Sequence, residues 1–250
     1  MSERKFLNRD EIKYNAMFTM LLNHIANIFL APGTVLCTLF LDIGYFTAPV
    51  MCYFLVEGYH YTRSRKKYAL RLAAFAVISE IPFCLAFSQA YNEEPIISFC
   101  GFNMIFTLLL CFGILHVQNQ VKGNFKKVLL MAILFLLSLF SDWAVLAPLL
   151  TLLFAAAAGN REKIRNAFII VSAVFALLNF QPGVSGRGIG IDIVYALFSA
   201  VGIVLAGVVI LFCYNGKRME RGRTFSKWFF YLFYPAHLLM LGILRIGLHL

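Results

Sequence analysis

Glu57, Glu80, His24 and His237 all lie inside long apolar stretches of this chain, where an ionisable group has to be explained. A carboxylate in hydrocarbon costs several kcal/mol unless it is neutral, paired or facing a wet cavity, so such acids are candidates for function. His24 shares a helical face with Met20 and Asn27, beside Asn23. It reads either as a histidine bonding a neighbouring helix or as a neutral imidazole acting as general base. Glu57 shares a face with His60, and the two either pair or reach for the interface among Tyr53, Tyr59 and Tyr61. Glu80 precedes Pro82, which predicts a kink or break; the acid then serves either a neighbouring helix or catalysis. Asn103, Tyr234 and His237 offer donors for a developing oxyanion. Asp142, in the tight stretch Ser141-Asp142-Trp143, either caps the next helix or lines an outer mouth. The basic segment Arg63, Arg65, Lys66, Lys67 and Arg71 sets topology, touches anionic lipid or clamps phosphate. Arg71, in the first turn of the following helix, is the leading phosphate candidate.

The elements that must position these groups are transmembrane helices. With 61% hydrophobic and 14% charged residues and a mean hydropathy of +0.79, the chain is outside the range of soluble domains. Runs of the roughly 20 residues that a bilayer requires predict an all-α polytopic bundle of about nine spans. They cover residues 14–32, 43–60, 68–89, 98–118, 126–141, 143–158, 165–181, 189–214 and 228–248. The apolar segment 33–42 is assigned to none, and residues 1–250 are read as one membrane domain.

The net charge of +10 follows topology and is no sign of nucleic-acid binding. Lys and Arg cluster at the N-terminus (Arg4, Lys5, Arg9, Lys13) and in every second break, leaving only Arg187 and Arg245 for the other side. The N-terminus is therefore expected in the cytoplasm. Asp42, Glu93, Glu94, Asp142 and Asp192, with Pro32, Pro95 and Pro182, mark the opposite breaks. The six cysteines show no C-x-x-C pair and no zinc spacing, so no metal is expected. Cys37 and Cys100 lie near the outer face and could in principle bridge.

Leu-Leu-Asn-His-Ile in the first span, Val-Glu-Gly-Tyr-His-Tyr-Thr-Arg followed by Ile-Ser-Glu-Ile-Pro-Phe, Asn-Met-Ile-Phe-Thr, Tyr-Asn-Gly-Lys-Arg and Phe-Tyr-Pro-Ala-His-Leu resemble the TraX family in residues and order. That resemblance implies a multi-pass acetyltransferase of the bacterial cytoplasmic membrane. It would take its acyl group from acetyl-CoA and use His24 as the catalytic residue. The expected partners are membrane lipids, acetyl-CoA and an acceptor peptide amine or glycan. In that mechanism Glu57 would steady an imidazolium, and Arg63, Arg71, Lys217 and Arg218 would hold CoA phosphates. The chain has Asn23 where the family usually has Asp, and Gly44-Tyr45 where it often has Gly-Arg. A proton-coupled transporter, which also uses buried Glu and His, and a non-catalytic membrane scaffold are the rival readings. Against the transporter, no second-half counterpart of the two buried acids is visible.

Overall fold

A computed structural model of the chain describes residues 6–92, 97–183 and 188–248. Arg4, Lys5, Glu93, Glu94, Pro95 and Arg187 of the charge and proline pattern lie outside the described residues. Among those described, all regular structure is helical, and only two isolated β-bridges occur. The helices are α1 (Arg9–Phe29), α2 (Val35–Gly44), α3 (Thr47–Tyr61), α4 (Arg65–Asn92), α5 (Met104–Gln120), α6 (Asn124–Ser138), α7 (Leu146–Ala157), α8 (Arg161–Leu178), α9 (Ile189–Ser199), α10 (Val201–Val208) and α11 (Arg223–Gly247). A π-helical turn, Val209–Cys213, follows α10.

Each of the nine predicted spans is helical. The eighth is jointed into α9, α10 and the π turn, and the unassigned segment 33–42 supplies most of α2. Four stretches are long and apolar enough to cross a membrane: Val35–Tyr61, Arg65–Ser88, Ile189–Cys213 and Arg223–Gly247. Their exposed residues fit lipid. On α4, Leu70, Val77, Ile78 and Ile81 are exposed along one stripe while Leu72, Phe75, Ala76, Ser79 and Phe83 are buried on the other. The predicted break at Pro82 is absent, because α4 runs unbroken through it. Proline removes one hydrogen bond from a 28-residue helix, and packing against α5 and α11 outweighs that loss.

The chain divides into two compact units, Met1–Val50 with Ala157–Arg221 and Met51–Ala156 with Gly222–Leu250. In the first, α1 packs on α2, and α8 and α10 pack together. A Cβ on Gly202 would sit 2.2 Å from the Asp42 carbonyl oxygen, so only glycine allows that approach of α10 to α2. In the second unit α4 is the centre, flanked by α11 and α5, with α6 against α5. Gly242 of α11 lies against Leu85 so closely that a Cβ would be 2.9 Å from Leu85 Cγ.

Candidate functional site

In the first unit, α1 is started by a capping box. Asn8 Oδ1 accepts from the Asp10 and Glu11 N–H groups, and Glu11 Oε2 accepts from Asn8 N–H at 2.8 Å. The same segment docks on the chain after the π turn: Leu7 N–H donates to Cys213 O, Asn215 N–H to Leu7 O, and Arg9 N–H to Lys217 O. Asp10 Oδ2 accepts from Met219 N–H at 2.8 Å. Lys217 and Arg218 therefore sit on a strap whose backbone is held by the start of α1, with both side chains exposed. Further along α1, His24 is buried. Its neighbour Asn23 donates from Nδ2 to Leu41 O at 3.0 Å and packs on Gly44, where a Cβ would be 2.2 Å from Asn23 Cβ. Asn23 thus ties α1 to α2, and Tyr45 meets the edge of Phe175 at 4.8 Å.

In the second unit the polar residues gather at the start of α5. Asn103 is its N-cap: Oδ1 accepts from Ile105 and Phe106 N–H, while Nδ2 donates to Ala76 O at 2.8 Å and Glu80 Oε2 at 2.6 Å. Glu80 Oε2 also accepts from Asn103 N–H at 3.3 Å. The acid that seemed costly in hydrocarbon is met by two donors beside a helix start, where the macrodipole favours negative charge. Tyr234 of α11 accepts from Met104 N–H at 3.2 Å. One turn on, the His237 ring lies 5.7 Å from that of Tyr234, stacks on Phe233 at 4.7 Å, and has Nδ1 2.7 Å from Phe233 O. That contact requires the proton on Nδ1, which leaves the lone pair on Nε2.

The α6–α7 link closes the same corner. Phe102 N–H donates to Phe140 O and Asp142 N–H to Phe102 O, while Thr107 Oγ1 donates to Asp142 O at 2.6 Å. Asp142 contributes its backbone here and does not act as a helix cap. Burial pushes its carboxyl up to about 6, against a hydrogen bond from the Trp143 backbone that lowers it.

Toward the basic end of this unit, Glu57 is half-buried one turn after Tyr53, close enough to act on it electrostatically. His60 is exposed, with its ring against the edge of Tyr59, and Arg63 is exposed. The Arg65 guanidinium covers the Tyr59 ring at 4.4 Å and that of Arg71 lies 5.5 Å from Tyr68; Phe112 meets both tyrosines edge-on at 5.1 Å. Arg71 Nε and the Tyr59 hydroxyl are buried with no hydrogen-bond partner among the described residues. Such atoms suit a site for an anionic ligand.

The structure therefore brings Glu80, Asn103, Tyr234, His237 and the Asp142 backbone together in one unit. Arg71 stands at that unit's other end, and His24, Lys217 and Arg218 belong to the first unit. Among the described residues no group of three His, Cys, Asp or Glu could hold a metal. Sequence reasoning missed Tyr59 and Arg65 as a stacked pair. The spacing of an aromatic six residues before an arginine carried no signal, because a turn at Thr62–Ser64 intervenes.

Apolar helices of spanning length, a lopsided distribution of basic residues and polar side chains turned into the bundle define a polytopic α-helical membrane protein. The chain belongs to the TraX family, whose model matches residues 8–245. It is 30% identical over 240 residues to the probable fimbrial assembly protein FimC, serogroup H1, of Dichelobacter nodosus, covering 92% of this chain and 93% of that one. No solved structure matches.

Proposed function

We propose that the protein is an integral-membrane acetyltransferase that moves an acetyl group from acetyl-CoA to an amine or hydroxyl acceptor. The observation that carries the reading is the family match across residues 8–245, joined to a buried histidine on the first helix, where the family resemblance puts the catalytic group. The relative's name as a fimbrial assembly protein favours the amine of a filament subunit over an envelope glycan.

His24 is assigned the general base. It takes the proton of the acceptor as the acceptor's nitrogen or oxygen attacks the thioester carbonyl; the C–S bond breaks, and the proton passes to the departing thiolate. Alternatively the imidazole carries the acetyl group between donor and acceptor. Arg71, whose Nε is buried with no hydrogen-bond partner among the described residues, supports binding of CoA phosphate. Lys217 and Arg218 are assigned the same kind of contact. Asn103 is committed to the α5 cap, Ala76 and Glu80, and His237 gives its Nδ1 proton to Phe233 O, so of the three donors Tyr234 is assigned the oxyanion role.

The test is acetyl-CoA binding, its slow hydrolysis, and acetyl transfer to a peptide amine by the purified protein in detergent. His24→Ala should abolish transfer and hydrolysis while leaving the thermal midpoint within a few degrees. Turnover retained in that variant would sink the assignment, and absence of saturable acetyl-CoA binding by folded wild type would sink the acetyltransferase reading itself.

A further inference from the structure

The loop that leads into α5 runs back along α4. Ser88 Oγ accepts from Ser98 N–H at 2.7 Å and directs its own proton to Cys84 O one turn back, and the first bond pins residue 98 beside residue 88. Glu80 accepts from Asn103 N–H, which pins residue 103 beside residue 80. Between those fastenings, eight helical residues rise about 12 Å and five extended residues reach about 16 Å. The loop therefore passes residue 84 near its middle, and residue 100 is the one that arrives there. Cys84 and Cys100 occupy those places, close enough for each thiol to act on the other electrostatically. Cys84 is buried, with Sγ 3.9 Å from Glu80 Oε1; Cys100 is partly exposed.

The two thiols lie at the end of α4 opposite the basic turn. From Arg65 to Cys84 is about 28 Å of helix, close to the roughly 30 Å of a bilayer core. Because the basic turn marks the cytoplasmic side, Cys84 and Cys100 face the oxidising compartment, where disulfides form and persist.

We infer that Cys84 and Cys100 form a disulfide that staples the 97–102 loop to α4 and so fixes the start of α5 with its Glu80–Asn103 pair. The oxidant is a protein disulfide of an extracytoplasmic thiol oxidase. The Cys100 thiolate attacks one oxidant sulfur, forming a mixed disulfide and releasing the oxidant's other sulfur as thiolate. The Cys84 thiolate then attacks the Cys100 sulfur and expels the oxidant's first sulfur. One S–S bond forms in this chain and one breaks in the oxidant, which leaves as a dithiol carrying the two protons. The bridge joins α4 to its neighbouring loop, in place of the Cys37–Cys100 pairing considered from sequence.

Membranes from expressing cells would be quenched in acid, denatured in detergent and labelled with a mass-tagged maleimide, with and without prior reduction. Six cysteines are present, so the wild type should take four tags before reduction and six after. Cys84→Ser and Cys100→Ser should each take all five possible tags without reduction. Labelling in the denatured state reads the covalent bond, so loss of folded variant does not blur the result. Six tags on unreduced wild type, or protection surviving in either serine variant, overturns the inference.

Discussion

Asn103→Ala is the perturbation whose cost is set out most fully by the structure. The change removes an N-cap that accepts from two backbone N–H groups, worth about 1 kcal/mol. It also removes the Nδ2 donor shared by Ala76 O and Glu80 Oε2 at 2.8 and 2.6 Å. A hydrogen bond to a carboxylate contributes about 1.5–3 kcal/mol, and leaving the half-buried acceptor short of a donor adds to the loss. The total is about 3–4 kcal/mol. For a chain of this length that corresponds to a drop of about 6–16 °C in thermal midpoint, read by unfolding of the detergent-solubilised protein. Asn103→Ser keeps a capping oxygen but cannot reach Glu80 and should recover only the cap's share. If the alanine variant melts within 2 °C of wild type, Glu80 is not held by Asn103, and its burial must be explained by some other partner.

Other residues give independent tests. Asp142 has a folded-state value of about 6 against an ordinary 3.8. The folded protein therefore holds its proton more tightly than the unfolded chain. This contribution is complete below about pH 4 and is lost as pH rises to about 6, with an upper limit of about 3 kcal/mol; Asp142→Asn should flatten stability across that interval. Gly242→Ala places a Cβ 2.9 Å from Leu85 Cγ and 3.1 Å from its carbonyl carbon. It should cost about 1–3 kcal/mol, and an unchanged midpoint would contradict the close approach of α11 to α4. Tyr234→Phe removes the acceptor for Met104 N–H at about 1 kcal/mol. If Tyr234 also serves the oxyanion, turnover should fall about 10²-fold or more, beyond what the stability change explains. Arg71→Ala should weaken acetyl-CoA binding about 10- to 100-fold with little change in midpoint.

What the sequence discloses and what it hides follow from the range of each interaction. Bilayer thickness acts over some 20 consecutive residues, so the apolar helical segments are written locally, four of them in stretches long and apolar enough to cross a membrane. Segment 33–42 escaped because it is too short to span, yet Thr34 caps it and it folds as α2. The capping signal of Asn103 is also local, an asparagine immediately before an apolar run. Its bond to Glu80 across 23 residues, and that of Tyr234 to Met104 across 130, depend on the register of α4, α5 and α11, which no local pattern states.

This difference separates the buried polar residues. Apolar surroundings mark Glu80 and His24 alike as expensive, because the cost of burial is visible in the sequence and the compensating contacts are not. Once the fold supplies two donors from Asn103, the burial of Glu80 is explained by holding α5 to α4, and catalysis is not needed to account for it. His24 differs in kind. An imidazole can be buried uncharged, without an ion's desolvation penalty, so burial does not by itself mark it for function, and its functional assignment rests on family membership together with its place on α1. The two residues therefore predict opposite behaviour. Glu80→Gln should lower stability in step with any activity it loses, whereas His24→Ala should lose activity while the midpoint stays near that of wild type. A His24 variant whose activity and stability fell together would make this histidine a packing residue.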